Sequence, residues 1–441
     1  MGYNLDIFKK ISIYQFLFII LSCMIIATSF CFFFKFKNNK NAQRNAVIID
    51  VPVNAFDSDG RLVDKKWIQY LKHNKPVGII FFPEHFQDRD KTIQMVKDLK
   101  NILGDNTFFA VDEEGGMIQR IPWVNVPSAM EVGKTYSKLK TSRGTDIAKQ
   151  YVKEVYEPMF LEMQKLGLNM NFAPNLDISF INHDENKFYS KAVEYMTVSR
   201  KNPNNVEKEQ TQLYQEALLF KSYLNYLGER KLLLYEVGLE DLWKKSKYID
   251  KKRLSKQFDE IKKYANYASV IGSRSYSSDP NIVAEIASIF IQTAKKYDIK
   301  CVAKHALGHG RAFGDTHQDR QIVNTDKNEL LQTDLLPYKT ISDKIKFVMP
   351  SHIIYSDIDD KPATISRKVL LFFKKHVSND VIFISDDMSM GGAGQADQSP
   401  CDILIFSHTP LDVLQKQHFK KINLNISRFI SKKTSQKLTL M

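Results

Sequence analysis

The segment TFFAVDEEGG, residues 107–116, joins a short apolar run to three carboxylates and two glycines. The run Thr107–Asp112 is rich in aromatic and β-branched residues and is too short for an independent helix. It is typical of a strand that is buried on both faces. Seven further runs share these features: Ala46–Val51, Val77–Phe82, Leu168–Phe172, Ile299–Lys304, Lys346–Pro350, Val381–Ser385 and Asp402–Phe406.

Longer amphipathic stretches separate these runs, and Arg89–Asn101 and Thr145–Leu166 are predicted helices. Eight alternating β and α units predict an α/β protein with a single (β/α)8 TIM-type barrel. We expect the barrel domain to span residues 38–430 and a polar tail to follow at residues 431–441. One connection, about residues 178–268, is far longer than a normal βα loop and is predicted to be a mainly helical insertion. A partly disordered loop is the alternative.

A hydrophobic segment precedes the barrel. Ile11–Phe34 comprises 24 consecutive residues without Asp, Glu, Lys or Arg, and a helix of about 20 residues crosses the hydrocarbon layer. Because a signal-peptide core is usually only ~7–15 residues long, we predict an uncleaved single-pass anchor of the inner membrane within residues 1–37. Lysines flank both ends of the segment, so the side of the membrane that carries the barrel stays open.

The charge distribution and the number of cysteines argue against a nucleic-acid-binding protein and against a disulfide-rich protein. The net charge of +13 is spread along the chain, and no nucleic-acid-binding signature accompanies it, so nucleic acid is not an expected partner. Four cysteines in 441 residues do not form a disulfide framework. Cys23 and Cys31 lie in the hydrophobic segment, and Cys301 and Cys401 are predicted buried thiols.

Polar side chains follow four of the predicted strands, where the active site of such a barrel lies. The clusters are Asp112–Gly116, Lys304–Gly310, Met349–His352 and Ser385–Met390. The spacing of His305, His309 and His317 raises the alternative of a metal site. Glycines between these histidines argue against a helix that would align them, and no metal site is predicted.

These residues can assemble a retaining glycosidase, which needs a carboxylate nucleophile and a proton donor that later acts as a base. Asp386 is the candidate nucleophile. His317 is the candidate proton donor and acceptor because an imidazole titrates near neutral pH, and Asp315 is placed to orient it. Four further residues are suited to holding sugar hydroxyls by charge-assisted hydrogen bonds: Asp112, Arg120, Lys304 and His305.

The chain resembles the family 3 glycoside hydrolases, specifically the single-barrel β-N-acetylglucosaminidases (β-hexosaminidases) of the NagZ type. The segments that carry the resemblance are residues 111–116 with Gln119-Arg120, 171–177, 270–276 with Asp279-Pro280, 304–310 with 315–317, 349–355 and 385–390. The resemblance implies that Asp386 is the nucleophile, His317 the acid/base and Asp315 its partner. It adds Arg274 to Asp112, Arg120, Lys304 and His305 as ligands of the terminal N-acetylglucosamine.

The resemblance also implies that the enzyme uses no metal or organic cofactor. Its implied substrates are peptidoglycan-derived muropeptides, from which it would remove N-acetylglucosamine during cell-wall turnover. The alternatives are a catalytically degenerate barrel that binds glycans and a family 3 glycosidase that acts on another β-glycoside.

The chain departs from the family pattern in three segments. Ala306-Leu307 replaces the Phe-Pro of the family, which is expected to loosen the loop that carries His317. Met117 stands where the family often has Arg. Only ten residues separate Met390 from Cys401, so the helix after the nucleophile strand is predicted to be stunted or missing. This shortening is expected to disturb barrel packing beside Asp386.

Overall fold

A computed structural model describes residues 44–179, 271–312 and 320–422. Eight parallel strands close into a barrel, since the last strand pairs with both the seventh and the first. All eight predicted strands, and the barrel that they predict, are therefore confirmed. The barrel strands are β1 (Arg44–Ile49), β2 (Pro76–Phe81), β3 (Phe108–Val111), β4 (Met170–Asn171), β5 (Lys300–Ala306), β6 (Phe347–Pro350), β7 (Ile382–Asp387) and β8 (Ile403–Phe406).

Helices surround the barrel, and both helices predicted above are present within one or two residues of their expected ends. The helices are α1 (Lys65–Asn74), α2 (Arg89–Leu103), α3 (Ala129–Arg143), α4 (Thr145–Lys165), α5 (Pro280–Lys296), α6 (Lys327–Gln332), α7 (Leu336–Thr340), α8 (Arg367–His376) and α9 (Leu411–Leu414). In the described part of the chain, five 3-10 turns lie at Val53–Ala55, Pro83–His85, Gly272–Arg274, Ala363–Ile365 and Ala396–Gln398. Outside the barrel, Gln321–Val323 pairs with Ile353–Tyr355, and Lys421–Ile422 runs antiparallel to β1.

Local sequence explains where the helices begin. The Asp88 carboxylate accepts a hydrogen bond from the Lys91 amide and caps the start of α2, and Gly104 follows its last residue. Ser128 and Glu131 form a capping box at the start of α3. Gly133 in α3 allows the helix to approach the Tyr276 backbone, because a Cβ there would lie 1.7 Å from the Tyr276 carbonyl oxygen. The α3 helix therefore packs directly against the loop that carries Arg274.

Apolar side chains fill the interior of the barrel and explain why its strands lack polar alternation. Phe108 of β3 and Phe347 of β6 meet edge to face inside it, with ring centroids 5.5 Å apart. A second apolar layer lies between the strands and the helices. Because both faces of each strand are covered, the polar residues of the strands are concentrated at their ends.

The segment after β7 forms a 3-10 turn, Ala396–Gln398, where a longer helix is usual, so the predicted shortening is confirmed. The barrel stays closed, but the pairing of β7 with β8 is irregular beside Asp386. Ile403 of β8 lies opposite Ile384 of β7, and Ile405 lies opposite Asp387, so β7 has one extra residue in the stretch that contains Asp386. The short segment is held because the Ser399 hydroxyl donates to the Thr364 carbonyl at 2.7 Å and Ala393 is buried.

Several predictions lie outside the described residues. These are the membrane segment Ile11–Phe34, most of the insertion at about 178–268, and the polar tail at 431–441. Among the residues that the structure does describe, none forms a helix long and apolar enough to span a bilayer. Cys401 is buried as predicted, whereas the Cys301 residue is only partly buried, and both are free thiols.

Candidate active site

The carboxyl ends of the strands bring the predicted binding residues to one rim of the barrel. Asp112 directly follows β3, and Lys304 and His305 lie near the end of β5. A bridge between Asn175 and Lys304 extends the pairing of the chain after β4 with β5. Arg274 lies in the 3-10 turn that precedes α5. Residues that are far apart in sequence are thereby placed at the same face, where a barrel of this kind carries its chemistry.

Four charged side chains form a compact network at this rim. Lys304 Nζ lies 2.6 Å from Asp112 Oδ1 and 2.8 Å from Glu114 Oε1. Arg274 donates to both oxygens of Glu114, from Nε at 3.0 Å and from Nη2 at 2.7 Å. This bidentate geometry fixes the guanidinium plane. Two carboxylates and two cations therefore balance in formal charge.

Burial makes this balance energetically important. The side chains of Glu114 and Lys304 are only 4% and 3% exposed. Burial alone would raise the pKa of Glu114, but Arg274 and Lys304 outweigh it and hold that pKa well below its ordinary value. Burial likewise opposes the charge of Lys304, yet Asp112 and Glu114 raise its pKa. Glu114, Arg274 and Lys304 are therefore charged at neutral pH.

A second buried carboxylate, Asp177, orients His305. Asp177 Oδ2 lies 2.6 Å from His305 Nδ1, and Asp177 Oδ1 accepts the backbone N–H groups of His305 at 3.3 Å and His309 at 2.6 Å. Burial opposes ionisation of Asp177, but the neighbouring histidines lower its pKa overall. With Nδ1 directed at Asp177, His305 Nε2 faces Arg274 Nη2 at 3.5 Å. Asp177 thus sets which ring nitrogen of His305 points toward the charge network.

The same loop carries His309, which is fully enclosed. Burial, with a smaller contribution from His305, lowers the pKa of His309 to about 4, so this imidazole is neutral at physiological pH. Ala306 and Leu307, which replace the family's Phe-Pro, are also buried. They fill the core at the start of the loop; its continuation at residues 313–319 lies outside the described part of the chain.

Asp386 is the penultimate residue of β7, lies on the same rim and is partly exposed. Its Oδ1 accepts the backbone N–H of Asp387 at 2.8 Å. Asp387 has a different role, because its carboxylate accepts the amides of Ser389 at 2.9 Å and Ser407 at 3.2 Å and also the Ser407 hydroxyl. Asp387 therefore ties the end of β7 to the end of β8. The assignment of Asp386 as the nucleophile stays a prediction.

The sequence-predicted residues are thus brought together in part. The network unites Asp112, Arg274 and Lys304, with His305 beside them, and Asp386 lies on the same rim. The Arg120 side chain is partly buried in the loop after β3, and none of its hydrogen bonds joins it to the network. Asp315 and His317 fall within 313–319, so their positions stay predictions.

Two important residues were not singled out from sequence. Glu114 holds both Arg274 and Lys304, and Asp177 orients His305. The only feature of the sequence that could have indicated them is their position, since each acid lies just beyond a predicted strand. That signal does not say which cation the acid will meet.

With this geometry in place, similarity to known proteins decides the family. The model of the glycosyl hydrolase family 3 N-terminal domain matches residues 51–197 and 263–402. The chain belongs to glycosyl hydrolase family 3. The predicted family is confirmed, and the chain is accordingly a glycosidase. The family 3 match omits residues 198–262, within the predicted insertion.

Relatives and solved structures agree with this family. The chain is 37% identical over 365 residues to a beta-hexosaminidase of Tolumonas auensis, covering 79% of this chain and 80% of that protein. A beta-hexosaminidase of Actinobacillus succinogenes is 23% identical, covering 83% of this chain and 84% of the relative.

Among solved structures, NagZ from Neisseria gonorrhoeae in complex with N-trifluoroacetyl-D-glucosamine superposes with a TM-score of 0.58 at 21% identity, covering 85% of this chain and 84% of that one. A family 3 beta-N-acetylglucosaminidase from Paenibacillus gives a TM-score of 0.54 at 19% identity, covering 82% and 54%. At these identities, the superpositions establish a shared fold.

Proposed function

We propose that this family 3 chain is a retaining exo-β-N-acetylglucosaminidase that removes terminal N-acetylglucosamine from peptidoglycan-derived muropeptides. The observation that carries the proposal is the buried network of Asp112, Glu114, Arg274 and Lys304 at the rim that also bears Asp386. The similarity to beta-hexosaminidases over four-fifths of their length supports the choice of sugar.

In the proposed reaction, Asp386 attacks the anomeric carbon while the bond from that carbon to the aglycone oxygen breaks. His317 donates its proton to the departing oxygen, leaving a covalent glycosyl-enzyme. His317 then takes a proton from water as the water attacks the anomeric carbon, and Asp386 departs. Two displacements retain the anomeric configuration, and Asp315 keeps the imidazole oriented.

The binding residues would hold the sugar before attack. Asp112 is partly exposed and offers a carboxylate acceptor to a hydroxyl. Arg120 Nε is buried and has no hydrogen-bond partner among the described residues. Because Nε is closed to solvent, a sugar hydroxyl would meet the exposed part of this partly buried residue instead. Arg274 and His305 border the same network and are proposed to complete the pocket.

The direct test compares two aryl substrates of the full-length chain, an N-acetyl-β-glucosaminide and a β-glucoside that lacks the 2-acetamido group. We expect a preference in kcat/KM of about 10²-fold or more for the former, because a site built to bind a polar group rejects analogues that lack it. Comparable turnover of both would favour the alternative of a glycosidase for another β-glycoside. Turnover of neither by folded protein would favour the glycan-binding alternative.

We also propose that residues 11–34 anchor the barrel domain, residues 38–430, to the inner membrane. The full chain is expected to sediment with membranes and to resist alkaline washing. Leu21→Arg with Met24→Arg should release it, because each central arginine costs about 2.5–3.5 kcal/mol on insertion, whereas Leu21→Ile with Met24→Leu should not. Full-length chain in the soluble fraction would contradict the proposal. Protease access from each side would identify the compartment of the barrel.

A further inference from the structure

Glu113 lies between two site residues but takes no part in the charge network. Its side chain is 0% exposed. Its Oε2 accepts the backbone N–H groups of Arg120 at 2.8 Å and Ile121 at 2.9 Å. Its Oε1 has no hydrogen-bond partner in the described part of the chain. A carboxylate enclosed in this way holds the backbone that carries Arg120.

Glu113 is itself held firmly by the neighbouring strand. Its backbone N–H donates to Asn171 Oδ1 at 3.0 Å, and Asn171 Nδ2 donates to the Glu113 carbonyl at 2.9 Å. Because Asn171 belongs to β4, these two hydrogen bonds fix the backbone of Glu113 to a barrel strand. The two hydrogen bonds that Glu113 Oε2 accepts in turn hold the backbone of Arg120 and Ile121 in place relative to that strand.

The loop between Glu113 and Arg120 turns tightly. Gly115 and Gly116 have φ values of 91° and 58°, which favour glycine. The Glu114 amide donates to the Ile118 carbonyl at 2.9 Å. Gln119 Oε1 accepts the Val126 amide at 3.1 Å and braces the outgoing chain. Arg120 leaves this turn at the point where Glu113 accepts its amide.

The charge on Glu113 is finely balanced. Burial raises its pKa to about 7, against the opposing effects of the Ile121 and Arg120 amides and the Arg120 charge. Asp112 raises it further. The charged groups that act on Glu113 are therefore Arg120, which favours the carboxylate, and Asp112, which disfavours it. Glu113 changes charge within the physiological pH range.

We propose that Glu113 is a positioning residue that orients Arg120 toward the substrate and that its ionisation strengthens sugar binding. The inference rests on the proposed function, in which Arg120 contacts the sugar. An ionised carboxylate accepts stronger hydrogen bonds than a neutral acid, so ionisation fixes the Arg120 backbone more firmly. Sugar affinity therefore rises with pH as Glu113 loses its proton.

Calorimetric titration of N-acetylglucosamine into the full chain tests whether ionisation of Glu113 strengthens sugar binding. Wild-type affinity should rise roughly threefold to tenfold from pH 6 to pH 8, the difference between a charge-assisted and a neutral hydrogen bond. Glu113→Gln keeps an acceptor oxygen without titrating, so its affinity should be flat with pH and close to wild type at pH 6. Glu113→Ala should bind more weakly at every pH. Glu285→Gln, which changes a carboxylate that pairs with Lys140 between α3 and α5, should keep the wild-type pH profile.

Amide hydrogen exchange at Arg120 and Ile121 gives a readout that does not depend on the ligand. Exchange should be slow in wild type and Glu113→Gln and about tenfold faster or more in Glu113→Ala. If even the wild type binds no N-acetylglucosamine, the proposed function fails, and exchange alone then decides whether Glu113 holds the loop. The inference is overturned if Glu113→Gln retains the wild-type pH profile or if Glu113→Ala leaves amide exchange unchanged.

Discussion

Asp386→Ala is expected to lower kcat on an aryl N-acetyl-β-glucosaminide by about 10⁴-fold or more, the scale of losing a covalent nucleophile. Asp386 lies next to the rim end of β7 at a partly exposed position, and its Oδ1 accepts the Asp387 amide. Removing the carboxylate takes away the attacking group, and because Asp386 is partly exposed, the substitution is not expected to open a cavity in the barrel core. The thermal midpoint of the variant should stay within a few degrees of wild type.

Two comparisons separate this role from a general loss of structure. Azide can enter the space left by the carboxylate and attack the anomeric carbon, so it should restore part of the turnover of activated substrates and yield the glycosyl azide of inverted configuration. His317→Ala should instead slow poor leaving groups far more than activated aryl ones, because the latter need little protonation. Full turnover by Asp386→Ala, or equal losses on both substrates in His317→Ala, would refute the respective assignment.

Glu114→Gln is expected to reduce the free energy of unfolding by about 3–5 kcal/mol, the cost of breaking a buried ion pair. Glu114 is the common partner of Arg274 and Lys304. Without its charge, Asp112 alone faces two buried cations. The amide retains the size of the side chain, so the loss reports charge rather than a cavity. Denaturant unfolding of the full chain measures it.

Glu285→Gln is the matched control. Glu285 also forms a 2.7 Å ion pair, with Lys140, but its side chain is 37% exposed. Exposed pairs contribute about 0–1 kcal/mol, so this variant should be nearly as stable as wild type. Equal effects of the two substitutions would show that burial does not determine the strength of the network.

Acid should remove the difference between wild type and Glu114→Gln. The pKa of Glu114 is lowered on folding, so its stabilising contribution is complete above the ordinary value near 4.5. It is lost as the pH falls toward the lower pKa of the folded state. The gap in unfolding free energy between wild type and variant should therefore narrow progressively below about pH 4.5.

Much of the fold could be predicted from local sequence because the strands of a closed parallel barrel are covered on both faces. Runs such as Val77–Phe82 and Lys346–Pro350 are short, apolar and rich in β-branched or aromatic residues, and each became a barrel strand within a residue or two. The segment between Met390 and Cys401 was less predictable. Its length predicted the missing helix, but whether the barrel tolerates that loss depends on contacts with Thr364, which no local pattern contains.

The amino-acid sequence alone determined the barrel, its family and the strand ends at which polar residues gather, because each depends on composition and order along the chain. Only the tertiary structure decided which groups the acidic side chains contact. Asp112, Glu113 and Glu114 are consecutive acids of one loop, yet the first is partly exposed, the second is enclosed by backbone amides, and the third joins two buried cations. Arg274 meets Glu114 across 160 residues of chain. Such pairings follow from closing the barrel, because closure brings the ends of distant strands to one rim. Closure thereby sets the burial that raises the pKa of Glu113 and the cationic neighbours that lower the pKa of Glu114.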